Sequence, residues 1–551
     1  MNDPLIIFNR ITAAMKANKW ILLCLFGILL GSVLLRVHLL PIPLERDEGE
    51  YAYAGQLLLQ GIPPYTQAYN MKLPGMYIIY ALIISMVGES PTAIHTGLLI
   101  VNLLTIVAIF LFTRKLFNDI IALTASAAFT VLSINPFVHG AFAHAEHFVI
   151  LFIMASLTAL FYSFDTPNGK KIFVSGLLAG IAFLIKQHAA SFVGLAISAT
   201  LLESLFREQK PTGKIFLKPL LFLMGVLAPF IFICLYFLSI GKWGNFIYWT
   251  FAYAREYVSL ADPLTGLLDL KRKTILISNY SGSLLFLAFM GAFSLFDPRM
   301  ENSKRAFLCL LIIFSFLAIT PGFYFREHYF IMLLPVVSLF VAISLECIYK
   351  YLPFTNRRIR FFIPVLIFTL AVGSSLSQMH TYLFEMPPLS ASRLTHSLNP
   401  LPESIHIARY IRERSRPSDK IAVLGSEPQI YFYAQRKSAT GFIYMYPLME
   451  KQKFALPMQL EMIRELETEK PKYLIFFHIP TSWLQRDASP DLIFHWFFSY
   501  AARYYEQCAL VEIIDPSTTR YHWEQGTLAR NPSSPLWISI HKRIPQYSIN
   551  Q

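Results

Sequence analysis

Apolar runs of about twenty residues recur along most of this chain of 551 residues, and they limit its fold more than any other feature. A run of that length crosses a bilayer as a helix, which satisfies its own backbone where no water can. The runs lie at roughly 20–40, 93–113, 119–138, 147–164, 171–186, 188–206, 216–240, 280–296, 305–320, 328–349 and 360–379, which makes about eleven spans. Only 15% of the residues are charged, against about 25% in an ordinary soluble domain. The mean hydropathy is +0.48. The expected fold class is therefore a polytopic α-helical membrane protein. The first run is read as a retained helix. Arg46, Asp47 and Glu48 follow it where a cleaved signal would need small residues.

The net charge of +13 does not point to nucleic acid, because the basic residues sit mostly in short loops between apolar runs. They set orientation instead. Arg10, Lys16 and Lys19 place the N-terminus in the cytoplasm. Arg114 and Lys115, Lys170 and Lys171, Arg207 to Lys218, Arg299 to Arg305 and Lys350 to Arg360 then fall on the same side. That holds provided the short apolar stretch Leu73 to Val87 lies at the interface and does not cross. Lys271, Arg272 and Lys273 are the exception, in a long external loop. The five cysteines form neither a disulfide framework nor a CxxC metal site.

An odd number of spans leaves the C-terminus outside. Residues 1–380 form the membrane domain, with a first external loop over 41–92, and residues 381–551 form an extracytoplasmic domain after a proline-rich linker. Glu403 to Arg414, Glu427 to Ala434 and Met458 to Glu469 read as helices. Lys420 to Leu424 and Tyr473 to Phe477 read as strands, so this domain is α/β. It lacks a G-x-G-x-x-G loop.

The candidate chemistry lies in the external loops. Asp47, Glu48 and Glu50 are three acids within four residues, just past the first span. They are read as interfacial acids, one pairing with Arg46, or as a carboxylate cluster in which crowding and dryness raise a pKa to suit general-base work. Glu146 stands where a later span begins, between His144 and His147, which offer imidazoles to a metal. Lys72 either snorkels to the headgroups or holds a phosphate as a point charge. Arg326, His328 and Tyr329 crowd a short turn and suit an anionic headgroup or a sugar, or form an aromatic belt. Lys186, Gln187 and His188 are a weaker candidate.

RDEGEYAYAGQLLLQGIPPY after the first span, the K-x-P at Lys72 to Pro74 and the acid at Glu146 resemble the GT-C class of membrane glycosyltransferases. The likeness is to family 39, the bacterial relatives of protein O-mannosyltransferases and of the lipid A aminoarabinose transferase. The resemblance implies transfer of a sugar from a polyprenyl-phosphate donor to a hydroxyl of a lipid, glycan or protein, at the outer face of the bacterial cytoplasmic membrane. Asp47 would be the general base, and Glu146, with Glu48 at hand, would orient it, bind acceptor or help hold a cation. Lys72 and Arg326 would balance the phosphate. Met71 stands where the aminoarabinose transferases place a metal-binding acid, so no metal ligand is assigned and a divalent metal is left open. Other readings are a flippase or transporter of the lipid-linked sugar, a glycan polymerase, or a membrane scaffold. The transporter lacks its usual internal repeats and midplane charges.

Overall fold

The computed structural model describes residues 19–165, 168–207, 213–259, 262–523 and 532–545. Among them, nine helices are long and apolar enough to cross a membrane: Lys19–Leu39, Pro91–Leu116, Ala145–Asp165, Gln187–Phe206, Leu217–Ser239, Pro263–Phe296, Asn302–Ile319, Glu327–Tyr351 and Arg357–Glu385. The remaining two of the eleven expected spans are helices as well. Asp119–Leu132 has 14 residues and falls short of a full crossing by itself, while Gly169–Ile185, with 17, is at the lower end of the spanning range. Large apolar side chains such as Phe232 and Phe289 point outward, as a surface solvated by lipid requires. Expected cytoplasmic loops meet at one end of the bundle. Lys304 lies 4.7 Å from the Phe117 ring, the Tyr351 hydroxyl donates to Asp297 at 2.6 Å, and Lys115 pairs with Asp165.

One helix differs from the sequence reading. Lys271, Arg272 and Lys273 do not lie in a loop. They belong to the helix Pro263–Ala292, which Asp262 caps and whose path breaks at Ser281. Proline at its first position and an aspartate cap are ordinary start signals, outweighed in the sequence by the three cations.

The acidic stretch Arg46–Leu59 is a helix, and Gly75–Val87 is a second of only 13 residues. These two pack together at the other end of the bundle and carry the C-terminal unit. That unit is α/β, as expected, and holds a five-stranded sheet. Its strands are β1 (Ile421–Leu424), β2 (Tyr473–His478), β3 (Tyr505–Ile513), β4 (Thr519–Trp523) and β5 (Trp537–Arg543), in the order β1-β2-β5-β3-β4. The first pair is parallel and the others are antiparallel. The helix Gln429–Ala434 rests directly on the acidic helix. A Cβ at Gly49 would lie 2.5 Å from the backbone nitrogen of Gln429, so only glycine allows this approach. Arg46 completes the contact with a buried ion pair to Glu427 at 2.8 Å and a hydrogen bond to Asn399 at 3.0 Å.

Candidate active site

The acidic helix starts with a reciprocal cap. The Glu48 backbone N–H donates to Glu45 Oε1 and the Glu45 N–H donates to Glu48 Oε2, both at 3.0 Å. Glu48 is fully buried. Its Oε1 also takes the Ala143 N–H and lies 2.9 Å from His95 Nε2. Both of its oxygens are thus spent on holding the helix start against the 139–144 loop. The structure does not bring Glu48 to face an open space.

Asp47 and Glu50 share the other side of the helix, one turn apart, and both reach Lys72. Its ammonium donates to Asp47 Oδ1 at 2.7 Å and to Glu50 Oε2 at 2.6 Å. The Tyr77 hydroxyl donates to Glu50 at 2.7 Å, and the Tyr444 hydroxyl donates to Asp47 Oδ1 at 3.0 Å. Asp47 remains one-quarter exposed while Glu50 is buried. The expected upward tuning does not fall on Asp47. Burial opposes its charge, but the Lys72 ammonium, together with the other basic groups around it, holds the carboxyl well below the usual carboxylate range. Burial instead pushes Glu45 well up, with the Asp47 and Glu48 charges adding to it, and it raises Glu50 against the pull of Lys72. Of these acids, Asp47 is the one whose charged form the site favours.

Glu146 begins the helix Ala145–Asp165 and is fully buried. Lys186 pairs with its Oε1, and its Oε2 has no hydrogen-bond partner among the described residues. Lys186, a minor candidate by sequence, thus pairs with Glu146 as Lys72 pairs with Asp47. Its ammonium lies 4.3 Å from the Tyr329 ring, and His328 Nε2 is 3.8 Å from Glu146. The His328 ring stacks on His144 at 4.1 Å between centroids, and His144 Nδ1 is 4.0 Å from Asp47 Oδ2. A chain of close contacts therefore links Asp47, His144, His328, Glu146 and Lys186. Arg326 stands at its margin, over the Tyr324 ring at 5.5 Å, with no ion pair among the described residues.

Two groups of side chains could gather around a cation: Glu45, Asp47 and His144, or His139, His144 and His328. The acidic group fits poorly, because Glu45 caps a helix and Lys72 already supplies a positive charge to Asp47. The histidines fit better. Both ring nitrogens of His144 and Nδ1 of His139 are buried without hydrogen-bond partners among the described residues, and burial keeps both rings neutral, as a ligand must be. His147, the other imidazole singled out by sequence, lies outside both groups.

Comparison with solved structures decides the architecture. ArnT from Cupriavidus metallidurans, bound to undecaprenyl phosphate, superposes with a TM-score of 0.60 over 95% of this chain and 98% of its own, at 13% identity. The chain has the GT-C fold. A second GT-C protein, the archaeal oligosaccharyltransferase AglB from Archaeoglobus fulgidus with an inhibitory peptide and a dolichol-phosphate, gives 0.55 over 97% of this chain and 77% of its own, also at 13% identity. AglB in complex with zinc and sulfate gives 0.52 over 95% and 75%, again at 13%. Residues 72–237 match the family described as dolichyl-phosphate-mannose-protein mannosyltransferase. Sequence and fold both resemble GT-C glycosyltransferases. The matched segment includes Lys72, Glu146 and Lys186 and leaves out Asp47. No curated protein matches by sequence.

Sequence reasoning missed Tyr444, Tyr77 and His139. Tyr77 lies inside an apolar run, and Tyr444 lies 397 positions from the acid it touches, with no local signal. His139 is a lone histidine that only the fold sets beside His144 and His328.

Proposed function

We propose that this chain is a membrane glycosyltransferase that moves a sugar from a polyprenyl-phosphate donor to an acceptor hydroxyl on a lipid, glycan or protein. The observation that carries the reading is the Lys72 ammonium, 2.7 Å from Asp47 and 2.6 Å from Glu50. It sets an ionised carboxylate beside a fixed cation at one end of a membrane bundle. Asp47 takes the proton of the acceptor hydroxyl as that oxygen bonds to the anomeric carbon, and the bond from this carbon to the phosphate oxygen breaks. The phosphate leaves with the electron pair, so no strong acid is needed. Lys72 balances the growing charge, and Lys186 and Arg326 add positive potential. A phosphate that draws Lys72 toward itself weakens its hold on Asp47 and makes that carboxylate more basic when the donor is in place. A divalent cation held by His139, His144 and His328 would supply further positive charge to the site.

In this reading the protein lies in the bacterial cytoplasmic membrane with its N-terminus inside. The clustering of basic loops at the end of the bundle away from Asp47 supports that orientation. The ion-paired acids at the bundle end favour transfer chemistry over a flippase, which needs its polar path through the middle of the membrane.

The test compares wild type with Asp47→Asn in membranes, with a panel of radiolabelled polyprenyl-phosphate sugars. Transfer by wild type and its loss in Asp47→Asn at equal expression is the expected result. Equal transfer by both would remove Asp47 as the base.

A further inference from the structure

We propose that Tyr444, delivered by the C-terminal α/β unit, is a positioning residue for Asp47: its phenol, together with Lys72, fixes Oδ1 and leaves Oδ2 to receive the acceptor's proton. The inference rests on the reading of Asp47 as the base. A carboxylate oxygen offers about two lone-pair directions. At Oδ1 both are used, by Lys72 at 2.7 Å and by the Tyr444 hydroxyl at 3.0 Å. Oδ2 has no hydrogen bond among the described residues; His144 Nδ1 lies 4.0 Å from it, beyond hydrogen-bond reach. A lysine alone holds a carboxylate loosely, because its stem has four rotatable bonds. A buried phenol has two, and Tyr444 is only 7% exposed.

The segment that carries Tyr444 is itself pinned on both sides. The Ser438 N–H donates to the Tyr53 hydroxyl at 2.8 Å, which ties the segment to the acidic helix. The Tyr69 N–H donates to the Gly441 carbonyl at 2.7 Å, and any Cβ at Gly441 would strike the Tyr69 ring. Past the tyrosine, the Met445 N–H donates to Ser426 Oγ at 3.0 Å. The phenol therefore cannot drift from Asp47 unless the whole unit moves.

The experiment uses the full chain in lipid nanodiscs, as wild type, Tyr444→Phe, Asp47→Asn and Tyr433→Phe. Tyr433 also comes from the α/β unit, but among the described residues its hydroxyl bonds only to the Leu44 N–H, so this variant controls for general loosening. Tyr444→Phe is expected to lower kcat about tenfold with the donor KM unchanged, and to move the acid limb of the rate upward by about one unit. Infrared difference spectra give a readout independent of turnover. The carboxylate band present in wild type and absent in Asp47→Asn should titrate at higher pH in Tyr444→Phe. A Tyr444→Phe enzyme with wild-type kcat and an unmoved band overturns the proposal, and so does an equal loss in Tyr433→Phe. If Asp47→Asn itself turns over normally, the base reading has failed and this proposal fails with it. If Asp47→Asn is dead while Tyr444→Phe is unaffected, only the role of Tyr444 falls.

Discussion

At the scale of single residues, Lys72 sets the acid–base behaviour of the site. Replacing it with methionine removes the charge that depresses Asp47 while leaving the burial that raises it. Transfer by Lys72→Met should fall about a hundredfold or more, the usual cost of losing a key electrostatic group. The activity that remains should be lost on acidification at a higher pH than in wild type, because the freed carboxylate takes up a proton sooner. A pH profile of kcat/KM checks the sign. Glu48 should behave differently. Glu48→Ala leaves the Ala143 N–H and His95 without a buried acceptor and should cost about 3–5 kcal/mol of stability, read from thermal unfolding, whatever its effect on transfer. The sequence showed where the acids are, because three carboxylates at the end of an apolar run are conspicuous. It could not show for which one the site favours the charged form. That depends on Lys72, 25 positions from Asp47, and on a helix cap whose acids look no different from catalytic ones in a string of letters.

At the scale of elements, the seam between the bundle and the α/β unit makes its own predictions. Gly49→Ala would force a Cβ into the Gln429 backbone and should lower stability by about 1–3 kcal/mol, as overpacking does, with a matching fall in activity. Glu450 joins the same seam from the other side, where its Oε2 accepts the Tyr253 hydroxyl at 2.6 Å. Burial pushes this carboxyl up to about 7, from a value near 4.5 for the free side chain. The folded state therefore holds the Glu450 proton more tightly than the unfolded chain does. Its contribution to stability is complete below about pH 4.5 and is lost as the pH rises through about 7. Glu450→Gln should flatten the fall in Tm over that window, which a series of melts in buffered detergent would show. The helices and the first two strands of this unit were legible from short apolar runs between turn residues. Strands β3, β4 and β5 were not, because their charged and aromatic residues alternate without a clean buried face. Their pairing is set by partners up to 70 positions away, as between Tyr473 and Lys542.

At the scale of the whole molecule, the bundle and the α/β unit meet along a buried seam, with the acidic helix held between them. Orientation can be tested directly. In a background without native cysteines, a membrane-impermeant thiol reagent should label a cysteine at exposed Ala488 in intact spheroplasts, and one at exposed Asn302 only after lysis. The reverse pattern would turn the topology over. Most of the span plan was readable because lipid imposes one simple rule on long apolar helices, nine of which stand among the described residues, while the route by which residues near position 440 return to position 47 obeys no such rule. The glycine contact at position 49 carries a last implication. Main chain lies against main chain there, with no side chain to act as a spring, and the Arg46–Glu427 pair is bolted beside it. Such a joint resists bending, so the route by which a lipid-linked donor and an acceptor reach Asp47 is expected not to need the cap to lift.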